Sequence, residues 1–516
     1  MEVMKRRPGL DAGPSSYKHI GLCWARPAPG RFTMQALSRL APQKNDMNLP
    51  SGAPAEAPDP GAPPNLASEL AAPTVSRAYR CQCGRPVFLR NSQCLACGTP
   101  LGYVIDRLGV VPLAPVPREP DGNAGAEANA EAETAGEDAE PDTFTVFGNP
   151  DGKRYRRCAN LLTAASCNWM VPAPRESDDP SFNTDGLAPG YCLSCSVTRT
   201  IPDLSVERNG ELWRKLEHAK RRLISQLLAL GLPVVSRHAD PVHGLAFDFL
   251  GNMPGSPHVM TGHEHGVITL NAEEAEDAVR ERIRAEMREP YRTLLGHFRH
   301  EVGHYYWDLL VQPTSWLEEF RALFGDERAD YTEALQRHYE QGPPPDWANR
   351  YVSSYASMHP WEDWAETWAH YLHMADTTDT AMSFGVDATN VELASDLFTA
   401  EDLWQPEHPG APKFLDFLNG WVLLTNVLNE LSRSMGQPDY YPFVLPRAAV
   451  GKLQFIHCVV TQQRDSTAST AAAPGVPLPA EAGPSALAPA AAPTQAPAQS
   501  QAQSQAQCQQ QSGPQS

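Results

Sequence analysis

The sequence predicts an α+β fold: a small cysteine-rich N-terminal region, then a mostly helical domain that carries a small sheet. Three observations predict it. Eight of the 11 cysteines fall into two groups of four between residues 81 and 195. Several long segments beyond residue 208 repeat apolar residues at spacings of three and four, the period of a helix with one buried face. Two short runs between them, Leu245-Ala-Phe-Asp-Phe-Leu250 and Val267-Ile-Thr-Leu270, are rich in strand-forming residues.

Taken in order, residues 1–77 are rich in Pro, Ala and Gly without periodicity and are expected to be disordered. In the region 78–200, Cys81-Gln-Cys83 and Cys94-Leu-Ala-Cys97 form two close pairs separated by a strand-like run, Val87-Phe-Leu89, and Gly84 and Gly98 follow the pairs. Four thiolates so grouped predict a structural zinc ribbon, although the single residue between Cys81 and Cys83 is tighter than the usual two. Cys158, Cys167, Cys192 and Cys195 are expected to close a second four-thiolate zinc site. The stretch at about 115–142 carries nine acids, one arginine and no aromatic residue, and reads as an acidic flexible insertion. Disulfides are the competing use of these cysteines. Lys5-Arg-Arg7 is followed by Pro, Gly and Asp rather than by an apolar stretch, so no secretory signal is expected. A cytoplasmic protein with metal-bound thiolates follows, with Cys23, Cys458 and Cys508 left as unpaired thiols.

The helical domain is expected to span 201–462. Asn209–Gly231 has an apolar stripe through Leu216, Leu223, Leu227 and Leu230, and Gly231 and Pro233 end it. The two strand candidates come next, followed by an acidic helix Asn271–Met287 capped by Asn271. Tyr291–Leu310 repeats Leu294, Leu295, Phe298, Val302, Tyr305, Leu309 and Leu310, with Pro290 at its start. Gly303 is an unusual residue inside a helix, where it costs about 1 kcal/mol against alanine, so something is expected to pass close to that backbone. A helix follows Pro360 through Trp364, Trp368, Tyr371 and Leu372, and Lys413–Leu431 and Leu445–Val460 are two packing helices. The tail 463–516 passes from Ala/Pro into Gln/Ser/Ala repeats that bury no core.

The chemistry lies in His300-Glu301-Val302-Gly303-His304. Histidines four residues apart share one helical face, so both imidazoles can take one Zn²⁺ while Glu301 reaches water held there. A third protein ligand is needed. Position 310, where the metzincins place a histidine, is Leu310, which excludes that class. Glu362 and Glu366, one turn apart on a later helix, are the candidates: one can bind the metal while the other accepts a hydrogen bond from a ligating imidazole. Asp308, one turn after His304, is the candidate to orient that second ring.

Glu362-Asp-Trp-Ala-Glu366 resembles the arrangement of thermolysin-like and other gluzincins, in which a glutamate is the third ligand and a second acid follows four residues on. The resemblance implies Glu362 as ligand and Glu366 behind it. It also implies a role for Tyr355, which stands seven residues before Glu362, where the lethal-factor-like branch has a tyrosine facing the metal and donating to the developing oxyanion. The longer runs, Glu289-Pro-Tyr-Arg-Thr-Leu-Leu-Gly-His-Phe-Arg-His-Glu-Val-Gly-His-Tyr-Tyr-Trp-Asp308 and Tyr351-Val-Ser-Ser-Tyr-Ala-Ser-Met-His-Pro-Trp-Glu-Asp-Trp-Ala-Glu366, resemble bacterial zinc-binding metallopeptidases that carry an N-terminal zinc ribbon, over about residues 78 to 460. The implied fold is a zincin-like (gluzincin) domain behind a ribbon. The implied cofactors are one catalytic and two structural Zn²⁺, and the expected substrate is a peptide or protein, with Glu301 as general base.

An edge strand just upstream of the zinc helix binds substrate in gluzincins, and Val267–Asn271 holds that place in the order of elements. Two other readings share the motifs: a non-catalytic zinc-stabilised interaction module, and a zinc amide hydrolase acting on a small molecule or cell-wall peptide. The net charge of −19 argues against a nucleic-acid partner, no apolar run is long enough to span a bilayer, and the ribbon could dock a protein.

Overall fold

A computed structural model describes residues 75–116, 143–149, 152–173, 187–252, 259–287, 289–391, 393 and 395–472. The expected N-terminal extension as far as 74, nearly all of the acidic insertion, the tail beyond 472, Cys23 and Cys508 lie outside the described residues. The chain is mixed α and β, with a zinc-ribbon region in front of a mostly helical part.

The ribbon begins with a two-stranded hairpin, β1 (Tyr79–Arg80) and β2 (Pro86–Val87). The strand-like run between the cysteine pairs is shorter than expected, because Phe88 to Asn91 turn: Asn91 N–H donates to the Phe88 carbonyl and Phe88 N–H to Asn91 Oδ1. A five-stranded antiparallel meander follows: β3 (Leu101–Val104), β4 (Gly109–Pro115), β5 (Phe144–Val146), β6 (Tyr155–Arg157) and β7 (Met170–Pro172). One bridge between Tyr103 and Trp169 joins its two ends, and Val104, Leu113, Phe144, Tyr155 and Met170 fill its small core. A short helix α1 (Leu193–Ser196) carries Cys195.

The second sheet belongs to the helical part. It has the order β10-β11-β9-β8, with β8 at Thr198–Thr200, β9 at Ala246–Leu250, β10 at Gly262–Glu264 and β11 at Val267–Asn271. The boundary expected at 200/201 therefore falls just after a strand that pairs with β9. Val267–Asn271 is not the edge: it pairs with β9 on one side and β10 on the other, so the free edge beside the helix that carries His300 and His304 is Gly262–Glu264. The cause is a two-residue hairpin at His265-Gly266, both with positive φ (47° and 80°), which folds the chain back outside β11. Asn271 does cap, but it caps a short 3₁₀ turn, Ala272–Ala275, and the α-helix α3 is only Asp277–Glu286.

The core helices are α2 (Glu207–Ala229), α4 (Leu294–Leu310), α5 (Trp316–Phe324), α6 (Tyr331–Gln341), α7 (Pro360–Ser383), α8 (Ala411–Ser434) and α9 (Arg447–Ala472). The last runs past 462 into the segment expected to be tail. Pro290 does not open α4; Thr293 does, its hydroxyl accepting from Gly296 N–H at 3.0 Å. Helices α4 and α7 pack against each other, and Gly303 sits where they meet. A Cβ at 303 would stand 3.1 Å from the Ala365 Cα and 3.2 Å from the Trp368 ring, and Trp364 Nε1 donates to the Gly303 carbonyl at 2.8 Å. The close passage expected from the sequence is thus α7 itself.

The ribbon and the helical part share one hydrophobic core, in which Tyr79, Val87 and Trp169 pack in the same cluster as Leu216, Phe298 and Trp368. They also share a buried charge cluster. Asp376 of α7 receives Arg77 at 3.2 Å, Arg222 of α2 at 2.7 Å and Arg299 of α4 at 2.9 Å.

Candidate metal centre

Three groups of side chains among the described residues could hold a metal ion. In the first, Cys81 and Cys97 Sγ lie 3.6 Å apart, and Cys83 and Cys94 Sγ 3.7 Å apart. Four thiolates about 2.3 Å from one zinc stand roughly 3.7 Å from one another, whereas a disulfide would bring sulfurs to about 2 Å. The spacing is that of zinc ligands. Gly84 (φ 80°) and Gly98 (φ 72°) take the left-handed turn that closes each knuckle, donating to the carbonyls of Cys81 and Cys94. The tight Cys81-Gln-Cys83 spacing therefore still folds as a knuckle.

In the second group Cys158, Cys167, Cys192 and Cys195 are all buried, Cys167 and Cys192 Sγ are 3.6 Å apart, and Cys192 N–H donates to Cys158 Sγ at 3.5 Å. None of the described cysteines forms a disulfide. Cys458 is buried in α9 and belongs to neither group.

The third group joins α4 to α7. His300 and His304 project from α4 toward Glu362 of α7, and one donor atom from each lies within 4.8 Å of the others. His300 Nε2 is 3.0 Å from Glu362 Oε2, and His304 Nε2 is 3.6 Å from Glu362 Oε1. Burial alone would raise the Glu362 carboxyl, but the charges of His304 and His300 beside it outweigh that and hold it well below the usual carboxylate range.

A chemical test of fit lies in His304. Its ring is 1% exposed, and neither nitrogen has a hydrogen-bond partner. A buried, unsatisfied imidazole nitrogen costs about 1–3 kcal/mol, so Nε2, aimed at the point where His300 and Glu362 converge, is in the position of a metal ligand. Two imidazoles and a carboxylate are a donor set that suits zinc.

Around this set, His300 Nδ1 lies 2.7 Å from Glu366 Oε1, and Glu366 Oε2 accepts from the Ser353 hydroxyl at 2.6 Å. That chain fixes the His300 tautomer and leaves Nε2 facing Glu362. Tyr331, which the sequence did not single out, donates from its hydroxyl to Glu362 Oε1 at 2.9 Å. It follows Asp330, which caps α6, but no spacing to a motif marks it. Glu301 is 5% exposed, with its Oε2 unpartnered; burial is the main cause that pushes its carboxyl up to about 7. Tyr355 stands in a 3₁₀ turn with its ring 6.2 Å from that of His300, half-buried against Ala334, Leu335 and Met358.

Asp308 is not brought to His304. It is half-buried one turn on, and since His304 Nδ1 has no partner it does not orient that ring. The other histidines have work of their own. His359 caps α7, accepting from Trp361 N–H, and its second nitrogen meets the Ala329 carbonyl. His263 accepts from Gly266 N–H, His370 meets the Tyr441 hydroxyl, and His373 meets Arg299. His297 pairs with buried Glu274 at 2.7 Å.

Comparison with known proteins adds the family. Residues 209–459 match the family model described as "Putative zinc-binding metallo-peptidase", and residues 78–206 match that of a zinc-ribbon domain. An uncharacterised protein of Mycobacterium tuberculosis and one of Mycobacterium bovis are each 41% identical to the chain over 388 residues, 75% of this chain and 96% of theirs. No solved structure matches it. Among the described residues no helix is long and apolar enough to cross a membrane.

Proposed function

Because the chain belongs to this family of zinc-binding metallo-peptidases, we propose that it hydrolyses peptide bonds, in the manner of a gluzincin, at the centre formed by His300, His304 and Glu362. The observation that carries the reading is the convergence of those three donors within 4.8 Å beside the buried carboxylate of Glu301. The two cysteine groups would hold two further, structural zinc ions. Zinc in the histidine site supplies Lewis acidity toward a carbonyl oxygen and lowers the pKa of water to about 7.

The residues of the chain do the rest. Glu301 Oε2 takes the proton of the attacking water and returns it to the leaving amine nitrogen. The Ser353–Glu366–His300 chain holds the first imidazole in one tautomer, and Tyr331 holds the Glu362 carboxylate in place. Tyr355 donates to the oxyanion of the tetrahedral intermediate. The edge of β10 offers its backbone to an extended substrate, next to the centre because the His263 ring stacks 6.2 Å from that of His304.

Two pairs of variants test the assignments. Glu362→Gln should empty the histidine site, whereas Glu366→Gln should weaken zinc binding by roughly 10- to 100-fold, as the loss of an outer hydrogen bond does. If metal titrations show the reverse order, Glu366 is the ligand. Tyr355→Phe should lower kcat with KM little changed, by about 3 kcal/mol in the barrier. Tyr331→Phe should instead show its loss in zinc affinity. An unchanged kcat in Tyr355→Phe would leave that residue a packing role only.

A further inference from the structure

Away from the histidine site, a cavity of about 710 Å³ opens between the ribbon region and α2. Arg90, Arg157, Arg214 and His218 line it, and among the described residues no Asp or Glu does. Arg214 is neutralised by Glu211 at 2.5 Å, and Arg157 donates to the Leu101 carbonyl while lying over the Phe144 ring. Arg90 is different. It is exposed, it has no ion pair among the described residues, and it reaches only His218 Nδ1, at 3.5 Å. Burial, together with the charges of Arg221, Arg90 and Arg214, pushes His218 down to about 4, so the ring stays neutral in a positive surrounding. A chain of net charge −19 thus keeps one concave surface cationic.

A second hollow of about 480 Å³ shares Arg90 and His218 with the first. Phe88, from the ribbon, and Phe384, just after α7, line it, and they are 58% and 50% exposed. Large aromatic side chains left this open beside a cationic cavity form a surface with two chemistries in sequence. A small anion would meet the arginines and leave the aromatic pair unused.

We propose that this trough docks an extended acidic polypeptide, a carboxylate against Arg90 and a following apolar side chain against Phe88 and Phe384. The partner is recognised by alternation of charge and apolar surface, with electrostatics bringing it in and the aromatic contact holding it. The site is separate from the histidine centre and does not depend on hydrolysis.

The test uses the full zinc-loaded chain and a fluorescein-labelled oligoglutamate peptide ending in phenylalanine, followed by anisotropy. Saturable binding is expected, weakened about tenfold or more by Arg90→Glu and several-fold by Phe384→Ala. Both side chains are exposed, and unchanged zinc content and melting temperature would verify that these variants are folded. No binding, or equal binding by Arg90→Glu, overturns the proposal. Full displacement by inorganic phosphate would reduce the trough to a small-anion site and overturn it as well. Binding seen only after deletion of residues 117–142 would make the acidic segment of the chain itself the occupant, and the partner reading would fail.

Discussion

Glu301→Gln is expected to lower peptide turnover by about 10²- to 10⁴-fold while the zinc content stays at the wild-type value. The substitution keeps size and hydrogen bonding but removes the ability to accept a proton. Glu301 is not among the three converging donors, so the metal has no reason to leave with it. Metal analysis beside cleavage of a diverse peptide library separates the two effects. Wild-type turnover in this variant would mean that hydrolysis happens elsewhere, and the histidine centre would then be better read as part of a zinc-stabilised interaction module.

Asp376→Asn carries the second large effect, on stability. Its carboxylate is the shared partner of Arg77, Arg222 and Arg299, and both it and Arg299 are buried. Removing one member of a buried ionic group leaves the others uncompensated and typically costs 3–5 kcal/mol. Arg299 keeps Gln226 and His373 as partners, so the local fold need not collapse. The same group sets a pH dependence. Burial would raise the Asp376 carboxyl, yet the three arginines hold it below its ordinary value. With the folded pKa depressed, its contribution is complete above the unfolded value of about 4 and is lost as pH falls through the folded one. Urea denaturation should show wild type and variant converging in acid. An unchanged midpoint at neutral pH would show that the arginines are satisfied without Asp376.

His300 and His304 and the closely paired cysteines stand at spacings that helices and knuckles convert directly into proximity, whereas Glu362 was singled out from Glu366 only by the resemblance to gluzincins. Glu366 was visible as the acid one turn from Glu362. Tyr331 and Ser353 reach the site from separate segments at no fixed offset, and only the packing of α6 and the 3₁₀ turn against α7 brings them there. Asp308 shows the opposite failure: it has the right helical spacing, but no hydrogen bond to the ring it was expected to orient.

In the fold, helix interiors followed from apolar periodicity, whereas their ends moved by a few residues wherever a capping side chain such as Thr293 decided the start. The sheet was harder. A short parallel strand pair looks alike at the edge and in the middle, and the His265-Gly266 hairpin that puts β10 outside lacks the Asn-Gly signature of such turns. The meander of the ribbon, built of strands of three to seven residues and closed by one bridge, has too little alternation in any one strand to announce itself.

The most direct measurement is zinc per chain in the wild type and in a His300→Ala/His304→Ala double variant, with the ligand type read from X-ray absorption at the zinc edge. Three groups of donors predict three ions in the wild type and two in the variant, with the remaining two bound by sulfur alone. Equal zinc content in the two proteins, or purely sulfur ligation in the wild type, would contradict a metal centre made by His300, His304 and Glu362.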